Sequence, residues 1–285
     1  MKKILCVVIT ILILTSIGIK IISVWNKEAF DNGDKYVDIS NMNNCIALDY
    51  HRVRNSNVWN RFMQKVIDSD ELNHYSVYTN EFEKQMDRLI EEGAYFATLE
   101  EVENFRISGK FPDKCVWICF DDADETLYKN AYPILKERNI PFTVFVIAGQ
   151  VGNKDFSNMP LCDWDQLKEM RDSGLASFGS HTYNMHYFED NGAKFLEKDL
   201  HKEFFEDIKK SKEVLENELE VKITSIAYPF GESSDTLADL SEKAEFSNGF
   251  ILAPYPIAAD NSDFYQNRYM IDRGNFDQIM DVWTN

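Results

Sequence analysis

Strand-like apolar runs alternate with helix-like amphipathic runs along most of this chain of 285 residues. The helix-like runs repeat apolar residues at helical spacing, whereas the strand-like runs are short and rich in β-branched and aromatic residues. The predicted strands cover residues 45–50, 115–120, 141–147, 175–180, 223–228, 249–252 and 268–271. The predicted helices cover residues 79–92, 124–138, 197–220 and 235–244, with shorter ones after Thr98 and Asp163. This alternation indicates a mostly parallel sheet with crossover helices.

The number of β-α units favours a closed sheet. About seven units in one domain fit a barrel better than an open sheet, so we predict an α/β fold, a distorted (β/α) barrel, over residues 45–285. Functional side chains of such barrels gather at the carboxyl ends of the strands. Polar residues stand at five of these ends: Asp49-Tyr50-His51, Asp121-Asp122, Ser180-His181, Tyr228-Pro229-Phe230 and Asp272-Arg273.

Residues 1–25 read as a separate membrane or export segment. After Met1-Lys2-Lys3, the apolar run from Ile4 to Ile22 is long enough, at about 1.5 Å per residue, to cross a hydrocarbon core of about 30 Å. A cleaved signal peptide and an uncleaved signal anchor are both open, and the lack of an Ala-x-Ala cleavage site favours the anchor. The lysines predict that the rest of the chain is extracytoplasmic, at the cell surface. Residues 26–44 are expected to form a polar tether.

The net charge limits the kinds of partner that the protein can bind, and the cysteine positions limit which disulfides can form. A formal net charge of -18 argues against binding to nucleic acid, and no protein partner is predicted. Cys115 and Cys119 fall in one strand about 13 Å apart, too far to form a disulfide. We expect buried free thiols, and one disulfide that involves Cys45 or Cys162 stays open.

The residues that carry chemistry are a pair of acids and a pair of histidines. Asp121 and Asp122 follow one predicted strand, and His181 and His186 follow another. One carboxylate and two imidazoles are a common ligand set for a catalytic divalent metal. A second carboxylate beside the first is placed to act as a base. The pattern therefore predicts a metal-assisted hydrolase.

Each of these residues has a plainer interpretation. The acids could form a turn that caps the next helix, and the histidines could be one structural and one surface residue. On a helix, residues five apart are rotated by about 140°, so His181 and His186 can share a metal only if the chain loops back over the site. His51 is a candidate general acid or a packing residue.

These motifs together resemble the polysaccharide deacetylases with NodB homology. The resemblance rests on Phe120-Asp121-Asp122, on Ser180-His181-Thr182 with His186, and on Tyr228-Pro229-Phe230-Gly231. Tyr50-His51-Arg52-Val53 near the start is similar to the biofilm poly-N-acetylglucosamine deacetylases of the intercellular-adhesin type, whose motif order is circularly permuted. The resemblance covers residues 45–285.

The resemblance implies a role for each residue. Asp122, His181 and His186 would bind the metal, expected to be zinc, and Asp121 would be the base that deprotonates the attacking water. His51 would protonate the departing amine. A backbone N–H near Phe230, with Tyr228, would bind substrate or the oxyanion. The substrate would be a polymer of N-acetylglucosamine, and deacetylation would support biofilm adhesion.

Two departures from the family pattern affect these roles. Ala123 stands where many relatives have glycine, and Ala227 stands where many have an arginine that orients the base. Arg268 or Arg273 could replace that arginine, and the sequence does not choose between them. Deacetylation of peptidoglycan or chitin-like oligosaccharides and a non-catalytic sugar-binding surface protein are the alternative functions.

Overall fold

Seven parallel strands form a closed ring, which confirms the predicted α/β barrel. The computed structural model describes residues 36, 39–40, 42–55, 75–157, 159–189 and 192–284. The strands of the ring are β1 (Asn44–Tyr50), β2 (Cys115–Phe120), β3 (Phe142–Val146), β4 (Ala176–Ser180), β5 (Ser225–Ala227), β6 (Asn248–Leu252) and β7 (Gln266–Met270). They follow one another around the ring in chain order, and β7 pairs with β1 to close it.

Two short strands make the ring irregular. Ile257–Ala258 pairs antiparallel with the start of β1, and β7 takes over the pairing near the end of β1. Tyr95–Phe96 pairs in parallel with the start of β2. The longest contact of the ring joins β1 to β2 in register, from Cys45 opposite Cys115 to Tyr50 opposite Phe120. The two strands that carry the predicted acids and His51 are therefore fixed to each other.

Helices surround the ring, and all except the last, over residues 276–284, lie where the amphipathic runs predict them. They are α1 (Thr79–Glu91), α2 (Leu99–Ser108), α3 (Tyr132–Glu137), α4 (Trp164–Asp172), α5 (His201–Leu219), α6 (Asp235–Lys243) and α7 (Phe276–Thr284). Capping boxes start α2 and α4, in which the side chains of Thr98 and Asp163 accept from the third N–H of each helix. The predicted helix 124–138 is divided into a π-helix, Leu127–Ala131, and α3, because Pro133 cannot donate an intrahelical hydrogen bond.

Aromatic side chains fill the inside of the ring. Trp117 lies 4.8 Å from Phe250 and 6.1 Å from Phe145, measured between ring centroids. All three are fully buried. The indole N–H of Trp117 donates to the hydroxyl of Thr143 at 2.9 Å, which satisfies the only polar atom of that side chain. This packing closes the centre of the barrel, so a substrate can reach only its rim.

A disulfide joins Cys45 on β1 to Cys115 on β2. The expectation of free thiols is therefore wrong for these two residues. The alternative, one disulfide that involves Cys45, is confirmed. The two cysteines are register partners on adjacent strands, which places their Cα atoms 4.5 Å apart. Cys119 and Cys162 are free and buried as predicted.

Loss of this disulfide is expected to lower the free energy of unfolding by about 4 kcal/mol, because the bond closes a long loop and so restricts the unfolded chain. The two cysteines are 70 residues apart. Urea unfolding of protein refolded with and without reductant measures the effect. The Cys45→Ser/Cys115→Ser double variant is the control and should not respond to reductant. Equal unfolding midpoints for the oxidised and reduced wild-type protein would contradict the prediction.

The residues just before β1 already belong to the folded domain. Ile39 is buried, and its N–H donates to the carbonyl of Val282 on α7 at 2.9 Å. The compact unit that holds the barrel spans Asp38–Asn285, so the end of the predicted tether packs on the domain. The predicted signal segment, residues 1–25, lies outside the described residues. Within the described part of the chain, we find no helix with the length and apolarity needed to cross a membrane.

Candidate active site

Five polar side chains meet at the carboxyl end of the barrel, because parallel strands all end on the same rim. They follow β1, β2 and β4 in the chain: His51, Asp121, Asp122, His181 and His186. Asp121 and His181 are 1% exposed and Asp122 is 4% exposed. Burying several titratable groups together costs free energy of folding unless they are paired or bind a ligand. Such clusters are typical of functional sites.

A left-handed turn at the end of β2 brings both acids to the rim. The N–H of Asp121 donates to the carbonyl of Tyr50 at 3.1 Å, which continues the ladder to β1. Asp122 and Ala123 then have φ angles of 70° and 63°. The turn breaks the alternation that would send adjacent side chains to opposite faces. A left-handed backbone is least costly for glycine, and Ala123 adopts it here although it carries a Cβ.

Asp122, His181 and His186 converge on one point. Asp122 Oδ1 lies 3.2 Å from His186 Nε2 and 3.6 Å from His181 Nε2. This carboxylate oxygen is buried and accepts no hydrogen bond. A set of one ligand atom from each residue fits within 4.8 Å. A buried oxygen without a donor, faced by two imidazole nitrogens, is a donor set that suits a divalent cation.

Hydrogen bonding and burial give His181 the features that metal binding requires. Its Nδ1 lies 2.8 Å from the carbonyl of Ala227. A carbonyl can only accept, so Nδ1 carries the proton and Nε2 presents its lone pair to the site. Burial lowers the pKa of His181, which favours the neutral ring that a metal requires. Burial opposes ionisation of Asp122, but its interactions with His186 and Arg52 outweigh burial and hold the pKa of this carboxyl well below its usual range.

Arg268 binds the other acid of the pair. Its guanidinium donates to both oxygens of Asp121, at 2.7 and 2.8 Å, and to Asp49 Oδ1 at 3.0 Å. Arg268 is fully buried. Burial is the largest single influence on the pKa of Asp121 and would raise it, but Arg268, together with His181 and His51, outweighs burial and lowers the pKa. Asp121 is therefore a carboxylate at neutral pH with both oxygens held in one plane.

Arg273 lies elsewhere. Its guanidinium donates to the two carboxylate oxygens of Glu81 at 3.1 and 2.8 Å, and its side chain is 34% exposed. It also stacks over the ring of Tyr78, with a distance of 4.3 Å from Cζ to the ring centroid. Of the two candidate arginines, the structure brings Arg268 to Asp121 and places Arg273 in an ion pair with α1.

His51 joins this group through Asp49, a residue for which we predicted no role. Asp49 Oδ2 lies 3.6 Å from His51 Nδ1, while its other oxygen accepts from Arg268. Burial raises the pKa of Asp49 well above its usual range, more than Arg268 lowers it. Asp49 thus links the candidate acid, His51, to the guanidinium that holds Asp121. Its position two residues before His51, at the end of the same strand, was the available signal.

Arg52 was also missed as a site residue. Its Nη2 lies 3.3 Å from Asp122 Oδ2, and its Nε lies 3.8 Å from Asp124 Oδ2. Arg52 is 4% exposed. It occupies the second oxygen of Asp122 and leaves Oδ1 to the group formed with His181 and His186. Its place in the motif after His51 was visible, but nothing in the sequence connects it to Asp122.

The turn after β5 carries Tyr228 and Phe230, the two residues predicted to bind substrate or the oxyanion, and only Phe230 reaches the site with its side chain. The ring of Phe230 packs on His186, with 4.7 Å between ring centroids, and Phe230 has a φ of 60°. The side chain of Tyr228 is fully buried, and its hydroxyl lies 3.3 Å from that of Ser241 on α6. The structure therefore brings the Phe230 side chain to the group formed by Asp122, His181 and His186, and directs the Tyr228 side chain to the helix layer.

A closed (β/α) barrel with these groups at its rim is the framework of a hydrolase, and known proteins agree. Residues 108–249 match the family model described as polysaccharide deacetylase. Poly-beta-1,6-N-acetyl-D-glucosamine N-deacetylase of Staphylococcus aureus is 38% identical over 241 residues, which cover 85% of this chain and 83% of that one. The protein with the same description in Staphylococcus epidermidis is 35% identical over 242 residues, which cover 85% and 83%.

A solved structure shares the whole fold. IcaB from Ammonifex degensii superposes with a TM-score of 0.74 and 31% identity, and the match covers 85% of this chain and 98% of that one. The chain belongs to the polysaccharide deacetylase family. The predicted resemblance is confirmed, including the branch to which His51 and its neighbours pointed.

Proposed function

We propose that this protein is an N-deacetylase that hydrolyses the acetamide groups of poly-β-1,6-N-acetyl-D-glucosamine. The observation that carries the proposal is the convergence of Asp122, His181 and His186 beside an arginine-bound carboxylate, Asp121. The relatives named for this activity are 38% and 35% identical over nearly the whole folded domain. Amide hydrolysis requires an activated water and a proton for the departing amine, and the site offers residues for both.

The metal we propose is zinc, held by Asp122 Oδ1 and by Nε2 of His181 and His186. Two imidazoles and one carboxylate leave coordination positions open, as catalytic zinc sites do. The position of the buried Asp122 Oδ1, 3.2 Å from His186 Nε2 and 3.6 Å from His181 Nε2, supports this assignment. When bound, the metal would polarise the acetamide carbonyl and lower the pKa of the attacking water.

Asp121 is the proposed general base. Arg268 lowers its pKa, so the carboxylate is ionised at neutral pH and can accept a proton from the water that attacks the carbonyl carbon. A carboxylate of low pKa is a weak base, so proton transfer to Asp121 would be favoured by the lower water pKa that a bound metal would supply. The C–N bond then breaks to yield acetate and a glucosamine unit.

His51 is the proposed general acid toward the departing amine. Burial lowers the pKa of His51 to about 4, so the ring is neutral at neutral pH and must take up a proton before it can pass one to the amine. Once protonated, a ring of such low pKa is a strong proton donor. Asp49, beside Nδ1, orients the ring. We assign binding of the substrate carbonyl oxygen to the backbone of the turn at Phe230, which lies against His186, with Tyr228 supporting that turn.

The proposed location is extracytoplasmic, at the cell surface, with residues 1–25 as a membrane anchor and the residues up to the folded domain as a tether. The Cys45–Cys115 disulfide supports this location, because such bonds persist in oxidising compartments. Deacetylation creates amines that are positively charged at neutral pH, and such a polymer would adhere to anionic surfaces. We propose that the protein supports biofilm adhesion in this way.

Acetate release from defined oligosaccharides tests the activity. We expect release from β-1,6-linked N-acetylglucosamine oligomers, loss of release in a chelator, and recovery when zinc is restored. Chitin oligomers and peptidoglycan fragments, assayed in parallel, are expected to release little acetate. Faster release from either of these would change the substrate but keep the chemistry. A purified protein that binds no metal and releases no acetate would contradict the enzymatic proposal and favour a sugar-binding role.

A further inference from the structure

The backbone between the two metal-binding histidines is held by a carboxylate from outside the barrel. Asp207 lies on α5, and its Oδ1 accepts from the N–H of Tyr183 at 2.7 Å while its Oδ2 accepts from the N–H of Asn184 at 2.8 Å. The N–H of Met185 also bonds to this carboxylate. Three consecutive peptide groups of the loop from His181 to His186 therefore point at one side chain.

One helical turn later, Ser211 supports the start of the same loop. Its hydroxyl lies 2.7 Å from that of Ser180, and Ser180 Oγ in turn accepts from the N–H of Thr182 at 3.1 Å. Both serines are fully buried. Residues four apart share one face of a helix, so a single face of α5 holds the loop at two places: through Ser180, directly before His181, and at Tyr183 and Asn184 in the middle.

The opposite side of the loop packs on the turn after β3. Ala148 and Gly149 donate from their N–H groups to the carbonyls of Thr182 and Tyr183, at 3.0 and 2.8 Å. A Cβ atom at Gly149 would lie 2.4 Å from Asn184 Oδ1 and 2.6 Å from the Tyr183 carbonyl. Only glycine permits this close approach. The loop is thus held from both sides by hydrogen bonds.

We infer that Asp207 is a positioning residue of the metal centre. It orders the backbone from Tyr183 to Met185, so that His186 already faces His181 and Asp122 before the ion binds. Without Asp207, three N–H groups would lose their acceptor and the loop would be ordered only at the expense of binding free energy. The inference rests on the proposed function, since the centre that Asp207 positions is the zinc site proposed above.

The test compares metal affinity in full-length variants. Asp207→Asn keeps the shape of the side chain but removes the charge and replaces one acceptor oxygen by a donor. Substitutions of residues that orient metal ligands typically weaken metal binding about 10–100-fold, and we expect a loss of this size in a competitive zinc titration. Glu206→Gln is the matched control, because it removes the same charge from the exposed neighbour on α5. We expect its affinity to stay within about twofold of wild type.

Two further measurements separate positioning from general stability. Urea unfolding of the metal-free protein shows whether each variant is folded at the temperature of the titration. The absorption bands of bound Co²⁺ report the number and geometry of its ligands, and we expect them to change in Asp207→Asn but not in Glu206→Gln. If Asp207→Asn does not fold, Ser211→Ala takes its place, with a smaller loss of affinity expected.

The outcomes are distinct. Weaker zinc binding in folded Asp207→Asn, with Glu206→Gln unchanged, supports the inference. Equal zinc affinity and an unchanged Co²⁺ spectrum in folded Asp207→Asn, and in Ser211→Ala, would overturn it and leave the proposed function intact. A wild-type protein that binds neither zinc nor Co²⁺ would overturn the proposed function, and the positioning role with it.

Discussion

Replacing Asp121 by Asn is expected to lower kcat by about 10²–10⁴-fold while the protein keeps the metal proposed for the site. The amide cannot accept the proton of the attacking water, but Asp122, His181 and His186 remain as ligands. Acetate release measures kcat, and elemental analysis of the purified variant measures the bound metal. The predicted separation of activity from metal content is specific to a base that is not a ligand.

Substitution of Asp122, the neighbouring acid, is the comparison for Asp121→Asn. Asp122→Asn should lose both zinc and activity, because Asp122 Oδ1 lies between the two histidine nitrogens. His181→Ala should behave in the same way. If Asp121→Asn lost zinc and Asp122→Asn retained it, the proposed division between the two acids would be reversed.

The second large effect is a loss of stability, expected when Arg268 is replaced. Arg268→Met should lower the free energy of unfolding by about 3–5 kcal/mol, because it leaves two buried carboxylates, Asp49 and Asp121, without their shared cation. Urea unfolding measures this loss. Arg273→Met is the matched control. Its ion pair with Glu81 is about one-third exposed, and such surface pairs contribute about 0–1 kcal/mol.

Loss of Arg268 should also move the pH dependence of activity. Without the guanidinium, burial raises the pKa of Asp121, so the ionised base appears only at higher pH. The acid limb of the kcat profile is expected to shift to higher pH in Arg268→Met. Arg268→Lys, which keeps the charge, should shift it less. An unshifted acid limb in folded Arg268→Met would show that Asp121 is not the group that limits activity in acid.

The lowered pKa of Asp121 also determines how the free energy of unfolding changes with pH. The folded-state pKa of Asp121 lies below its ordinary value of about 3.9, so its ionisation stabilises the fold above that pH. This contribution is lost as the pH falls through the folded-state pKa. The difference in unfolding free energy between wild type and Arg268→Met should therefore narrow in acid.

Much of the site could be predicted because barrel strands impose a simple rule. Asp121 and His181 follow apolar strands, and parallel strands end on one rim, so their proximity follows once the strands are recognised. The five-residue spacing of His181 and His186 excluded a helix and indicated a loop, and the structure shows that loop. The ring order of the strands equals their chain order, which is why local patterns sufficed for the fold.

The partners of these residues could not be predicted in the same way. Arg268 and Arg273 stand near the same strand end, yet only Arg268 lies on β7 with its side chain toward Asp121 and Asp49. Which face of a strand a residue occupies depends on register, and a shift by one position exchanges the faces. The Cys45–Cys115 pair depends on the register of β1 against β2 for the same reason.

The sequence by itself determined the barrel, the position of the acids and histidines at strand ends, and the family. These follow from the periodicity of apolar residues and from short motifs, both of which are local. Only the tertiary structure decided that Arg268 binds Asp121, that Asp49 links it to His51, that Cys45 pairs with Cys115, and that Asp207 holds the loop between the histidines. Apart from the step from Asp49 to His51, these contacts join residues distant in the chain, and their geometry depends on strand register and helix packing rather than on local pattern.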